Sequence, residues 1–394
     1  MQYETPVTLP QVDDLSAEHS ARVAQYLREK IAAAGGSISF AEFMHEALYA
    51  PGLGYYASGT TKLGSDGDFV TAPEISPVFG AVVARQCSEV LREMMHGSVL
   101  ELGAGSGRLA VDMLTRFDSL GCVPQTYNIL EVSADLQDRQ RHCLRQEVPH
   151  LFDRVHWLSR LPESFNGVIV ANEVLDALPV ERFARRDGRI LQLRVSCSEQ
   201  GFHWVEQSAN ERMLAAVAEI EADRGAAFPN DYRSELLFAA DALVRDIGTT
   251  LQNGIAFFFD YGVTRREFYA SDRSDGWLRC HFRHHAHSDP LILPGIQDLT
   301  AWVDFSAIAK AAVECGLDIH GFQNQAHFLM GGGLQDEMKD FNALPTVRQL
   351  ELSGQIKTLT LPGAMGENFK CMALGRGDIE TPSAFHLSDR TQTL

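Results

Sequence analysis

The chain has 394 residues, 45% of them apolar and 22% charged, with a formal net charge of -18. That length can bury a large core, and that composition excludes wholesale disorder. The acidity argues against a basic nucleic-acid groove, which needs clustered Lys and Arg to neutralise phosphates. It fits a cationic substrate, but plain solubility explains it more simply.

The start at Met1 has no basic n-region, no apolar h-region and no Arg-rich presequence character. Apolar runs such as Gly254–Phe259 are too short to span a bilayer, so no membrane insertion is expected. Seven cysteines (Cys87, Cys122, Cys143, Cys197, Cys280, Cys315, Cys371) contain no CxxC pair. Free thiols suit a reducing compartment, and the cytoplasm is the expected location.

Residues 1–18 read as a polar lead-in. Val23, Tyr26, Leu27 and Ile31 recur at helical spacing over Ala21–Ala34, before Gly35-Gly36. A second helix starts at Ser39, with Glu42 three residues on as in a capping box, and stops near Pro51. Residues 52–77 are loop-like, and Pro77–His96 reads as a buried helix. Strands are predicted at Ser98–Leu102, Tyr127–Glu131, Val155–Leu158, Val168–Ala171 and Ile255–Asp260, alternating with helices as in a parallel sheet. More than eighty residues separate the last two, too many for an ordinary crossover. Within them Glu181–Val205 reads as antiparallel strands turning at Asp187-Gly188 and near Gly201, and Asn210–Ala222 and Ser234–Asn253 read as helices. The expected architecture is α/β: a Rossmann-like sheet with an N-terminal helical and loop extension (1–96) and a long insertion between the fourth and fifth strands. The core takes 97–180 and 254–376, the insertion 181–253 serves a substrate or partner, and 377–394 is a polar tail.

The most informative segment is Val99-Leu-Glu-Leu-Gly-Ala-Gly-Ser-Gly107, a strand running into a glycine turn. Gly103, Gly105 and Gly107 permit positive φ and close approach of a ligand to the backbone. A dinucleotide fingerprint requires a glycine five positions after the first, where this chain has Arg108. The GxGxG spacing, with acidic Glu101 two residues before it, instead matches motif I of Rossmann-like methyltransferases. Glu131, at the end of the second strand, is either an acceptor for both ribose hydroxyls or a solvated strand end. Asn172, Glu173 and Asp176 close the fourth strand, where ligands bind in doubly wound sheets; Asn172 or Asp176 could equally cap a following helix.

Blocks along most of the chain resemble the MidA-like family of methyltransferases. They are Tyr49-Ala-Pro-Gly-Leu-Gly-Tyr-Tyr56, Gly67-Asp-Phe-Val-Thr-Ala-Pro-Glu-Ile-Ser-Pro-Val-Phe-Gly80, Glu101–Gly107, Asn172-Glu-Val-Leu-Asp-Ala-Leu-Pro-Val180, Leu278-Arg-Cys280, Gln297-Asp-Leu-Thr300 with Val303-Asp-Phe305, and Leu361–Lys370. The chain departs from the family at Ala364, where Glu is common, and at Val174-Leu175, where Phe is usual. The resemblance implies a class I methyltransferase sheet and S-adenosyl-L-methionine as cofactor, with Glu101, Gly103, Gly105, Gly107, Glu131 and Asn172 binding it. It also implies that Gly67, Asp68, Phe69, Thr71 and Phe79 fold over the cofactor as a lid. Mitochondrial members of the family are complex I assembly factors that dimethylate an arginine of a complex I subunit, which implies a protein substrate.

An arginine acceptor is cationic and needs carboxylates to grip it; Glu173 and Asp176 are the candidates, with Asn172 beside them and Asp260 as a third carboxylate. His281, His284, His285 and His287 suggest zinc at first sight, but lack a CxxC or carboxylate partner at ligand spacing, so no metal is expected. Two other readings stay open from the residues: a cofactor-binding assembly chaperone without turnover, and a nucleotide-dependent oxidoreductase.

Overall fold

A computed structural model describes residues 9–57, 70–94 and 96–394. They form two compact units. One comprises Val70–Leu175, Asp241–Val263 and Phe305–Leu394; the other comprises the described residues of 1–69 with Asp176–Ala240 and Thr264–Asp304.

The first unit is built on a sheet. Helix α1 (Pro77–Arg92) leads into strand β1 (Ser98–Leu102), helix α2 (Arg108–Ser119), strand β2 (Tyr127–Leu130), helix α3 (Ala134–Glu147), and strands β3 (Val155–Leu158) and β4 (Phe165–Asn172). Strand β5 (Leu251–Val263) and the C-terminal strands β6 (Asp318–Asn324) and β7 (Phe369–Arg376) extend it. Their order across the sheet is β3-β2-β1-β4-β5-β7-β6. Strands β1 to β5 pair in parallel, whereas β7 runs antiparallel to both β5 and β6. The central strands are continuous apolar runs, Val168–Val170 and Ile255–Phe259, fully buried because helices cover both faces. Helix α1 starts as its sequence dictates: Pro77 occupies the first position, where no N–H is needed, and the Ser76 hydroxyl accepts from the Val78 N–H.

Three expectations are corrected here. Helix α1 packs its apolar face, including Val82 and Val83, into the sheet's core and so belongs with the sheet rather than with an N-terminal segment. Residues 264–304 belong to the other unit. Residues 377–394 are not a loose tail: Phe385 stacks on Phe257 and meets Phe328 edge-on, while the buried Gln86 side chain donates to Ser383 and accepts from the Ala384 N–H.

The second unit carries a five-stranded antiparallel sheet in which Arg189–Ser198 pairs with Glu181–Arg186, Gly201–Ser208 and Ile38–Ser39, and Glu181–Arg186 also pairs with Arg233–Leu236. The first hairpin turns at Asp187-Gly188 with φ of +48° and +77°, the geometry a tight two-residue hairpin requires. The helix expected over 234–253 is a strand to Leu236, a helix from Phe238 to Thr250, and then the start of β5. The N-terminal helix begins at Asp14, earlier than periodicity predicts, because Asp13 caps it through the Ser16 N–H. Ser39 caps the next helix through the Glu42 N–H at 3.1 Å.

A Phe385→Ala substitution should cost about 3–5 kcal/mol, since the ring fills the core against Phe257 and Phe328. Urea unfolding measures this; a loss below about 1 kcal/mol would mean that the C-terminal segment is not part of the core.

Candidate cofactor and acceptor site

The turn after β1 passes through Gly103, Gly105 and Gly107 with φ of +61°, +54° and +87°. Side chains with a Cβ avoid that backbone, and Gly107 caps α2 in it. The Ser106 hydroxyl donates to the Glu74 carboxylate, tying the turn to the short helix Ala72–Ile75.

Glu131 follows β2 and is buried, which removes the solvated strand-end alternative. Its Oε1 accepts from the Ser133 N–H at 2.9 Å and its Oε2 from Gln140 Nε2 at 3.1 Å. Burial pushes the carboxyl above its usual range, and the Ser133 and Gln140 hydrogen bonds pull it back. Gln140, on α3, also donates to the Gly105 carbonyl at 3.0 Å. Sequence reasoning missed it: a glutamine in a polar helix carries no motif.

Glu101 is buried within β1 and accepts from the Tyr127 hydroxyl at 2.7 Å. Burial pushes its carboxyl up to about 7; the Tyr127 hydrogen bond opposes this, and the charge of Glu131 adds to it.

Across the sheet from the glycine turn, β4 ends at Asn172 and the chain bends at Glu173 with φ of +52°. That left-handed backbone is uncommon for a residue other than glycine and collects at functional sites. Two hydrogen bonds from its backbone N–H groups hold it: the Glu173 N–H donates to the Phe259 carbonyl at 2.8 Å, and the Leu175 N–H donates to the side-chain Oδ2 of Asp260 at 2.9 Å. Asn172 Nδ2 donates to Glu173 Oε1 at 3.2 Å, while its Oδ1 is buried with no hydrogen-bond partner among the described residues. A buried acceptor without a donor costs free energy. Asp260, the third candidate carboxylate, accepts from the Leu175 and Tyr261 N–H groups and shapes the bend.

Asp176 belongs to the other unit, where its carbonyl accepts from the Ala301 N–H. No helix follows Asn172 or Asp176, so neither is a helix cap. In that unit Tyr56 donates to Asp298 Oδ1 at 2.9 Å, and burial first, then the charges of Asp298 and Asp176, push its phenol well above the usual range. Thr71 opens the short helix before α1. Phe79, read as cofactor-facing, lies fully buried on α1 with its ring edge-on to Phe259. Gly67, Asp68 and Phe69 lie outside the described residues.

The histidines occupy a hairpin. His281 pairs opposite Ala286, so it points to the face opposite His285 and His287, while His284 sits in the turn. They do not converge, and no group of three metal-binding side chains forms among the described residues.

The sheet order differs from the six-stranded dinucleotide order by the antiparallel strand between the fifth and sixth. Residues 82–323 match a family model described as "Putative S-adenosyl-L-methionine-dependent methyltransferase". The chain belongs to this methyltransferase family. It is 39% identical to a COG1565 superfamily member from Burkholderia thailandensis solved with S-adenosyl-homocysteine bound, at a TM-score of 0.92 over 98% of this chain and 100% of that one. It is also 29% identical to the Drosophila melanogaster protein arginine methyltransferase NDUFAF7 homolog over 95% of this chain and 89% of that protein. The Mus musculus protein arginine methyltransferase NDUFAF7 is 30% identical over 86% of this chain and 81% of that protein.

The protein is thus an S-adenosyl-L-methionine-dependent methyltransferase, and the oxidoreductase and turnover-free chaperone readings give way to it. The residues fit the cofactor: a backbone open to close approach and a buried acid beside it. The cytoplasmic expectation is overturned, because the Drosophila and mouse relatives are named mitochondrial. Among the described residues no helix is long and apolar enough to cross a membrane.

Glu101 makes stability depend on pH. Below the ordinary glutamate range it is protonated folded or unfolded and contributes nothing. As pH rises towards about 7 the unfolded chain releases a proton that the folded one keeps, so stability falls. Glu101→Gln should therefore raise the melting temperature of the ligand-free protein more above neutrality than in mild acid. An equal shift at both would mean that Glu101 ionises normally.

Proposed function

We propose that the protein methylates an arginine side chain of a protein substrate, with Glu173 and Asn172 as the groups that meet the acceptor. The observation that carries this is the bend at the end of β4, where a carboxylate and an unpaired buried carboxamide oxygen stand together. The names of the Drosophila and mouse relatives support arginine as the acceptor. On the resemblance to the MidA-like family alone, the proposal extends to a subunit of respiratory complex I.

When bound, S-adenosylmethionine supplies an electrophilic methyl group on a positive sulfur. The rest falls to the chain. A guanidinium is cationic at every physiological pH and a poor nucleophile. Glu173 would accept two of its N–H groups, draw the positive charge to that side and leave electron density on the attacking nitrogen. Asn172 Oδ1 would accept an N–H from that nitrogen and fix its direction, since positioning supplies much of the rate in such a displacement. Methyl transfer would form an N–C bond and break a C–S bond; the guanidinium would then give up one proton, and Glu173, which already accepts its N–H groups, is the carboxylate to take it. Gly103, Gly105, Gly107 and Glu131 would hold the cofactor.

Glu173→Gln keeps the shape and removes the charge. Affinity for S-adenosylhomocysteine should hold, while single-turnover transfer of labelled methyl into cell-extract protein falls at least about a hundredfold. Wild-type transfer should place the label on arginine. A variant that transfers at the wild-type rate removes Glu173 from the reaction, and label on lysine or a carboxylate removes the arginine reading.

A further inference from the structure

We propose that Gln140 is a positioning residue for the cofactor ribose, and that Trp157 fixes the direction in which it acts. The inference rests on the reading of Glu131 as the ribose acceptor.

Gln140 is fully buried in the middle of α3. Its amide has two N–H hydrogens and one strong acceptor, and all are committed. Nε2 donates to Glu131 Oε2 at 3.1 Å and to the Gly105 carbonyl at 3.0 Å, and Oε1 accepts from Trp157 Nε1 at 2.9 Å. The indole N–H can only donate. Turning the amide over would set its NH2 against that N–H and its oxygen against two acceptors, so Trp157 permits one orientation. The indole is itself held, with the Arg141 guanidinium 4.6 Å from its ring centre and Phe152 tilted beside it. One side chain thus bridges the glycine turn after β1 and the acid after β2. The fit is close: a Cβ at Gly107 would lie 3.3 Å from the Gln140 Cα.

This arrangement prepares Glu131. Each carboxylate oxygen accepts about two hydrogen bonds. Ser133 occupies one place on Oε1 and Gln140 one on Oε2, and the Val132 backbone also favours the charged form; the two oxygens accept about four hydrogen bonds in all, so the ribose hydroxyls compete for what remains. The Gln140 N–H also favours the ionised form of a carboxyl that burial disfavours. Without Gln140, Glu131 keeps only its backbone partners, is held less firmly and is easier to protonate. Lost packing alone would lower affinity without changing how the ribose is read.

The test is calorimetric titration of the full chain with S-adenosylhomocysteine and with its 2′-deoxy analogue, on either side of neutrality. The proteins are wild type, Gln140→Met, Gln140→Glu and Trp157→Phe. Wild type should prefer the intact ribose. Gln140→Met should bind S-adenosylhomocysteine about tenfold more weakly and lose most of that preference. Gln140→Glu should bind worse above neutrality than below it, because a carboxylate there repels Glu131 and the Gly105 carbonyl until it takes up a proton. Trp157→Phe should show a smaller loss of the same preference, and it decides the question if Gln140→Met does not fold. A ribose preference that survives in the folded variants overturns the proposal while leaving Glu131 in its role. A wild type that binds S-adenosylhomocysteine without preferring the intact ribose overturns the Glu131 reading and the proposal with it.

Discussion

The site depends on the parallel pairing of β1 with β4. From β1 the sheet grows through β2 to β3, and from β4 it grows the other way through β5. The segments leaving the carboxyl ends of β1 and β4 therefore part, and a crevice opens between them, as at every such switch point in a doubly wound sheet. The glycine turn and the bend at Glu173 are its two lips. Their spacing is set by backbone hydrogen bonds in register, Leu102 opposite Ala171, so mobile side chains do not govern it.

The bend is the costlier feature. A non-glycine residue at positive φ is strained, and the strand end would relax without restraint. Two buried groups from β5 supply it: the Phe259 carbonyl and the Asp260 carboxylate each take an N–H of the bend. Asp260 is one of the three acids that composition would nominate for chemistry, yet its hydrogen bonds make it a scaffold. Its neighbour in the bend, Asn172, keeps an acceptor unsatisfied.

Much of this was legible in the sequence. The glycine turn, Glu131 and the end of β4 announce themselves because each sits where an apolar run stops and the polar chemistry begins. Strands β4 and β5 were found for the same reason, since buried parallel strands are near-continuous apolar runs, and β1 to β3 are short, mostly apolar segments between helical stretches. Strands β6 and β7 were not found: Asp318–Asn324 mixes His320 and Gln323 into its pattern, and β7 buries Lys370 and carries Gly375. The polar look of 377–394 misled similarly, because Ile379, Ala384 and Phe385 enter the core from among mostly polar neighbours. Gln140 left no trace, since its part is set by three partners distant in sequence. The boundary between the units was also invisible, because it falls within the Asn172–Val180 block and separates Glu173 from Asp176.

The central claim is that the cofactor lies across the carboxyl ends of β1 and β2, with its sulfur directed towards Asn172. A crystal structure of this protein soaked with S-adenosylhomocysteine tests it most directly. The account predicts both ribose hydroxyls within hydrogen-bond distance of the Glu131 carboxylate and the sulfur on the Asn172 side of the glycine turn. Ligand density elsewhere, or a ribose held by another residue with Glu131 unengaged, would contradict it.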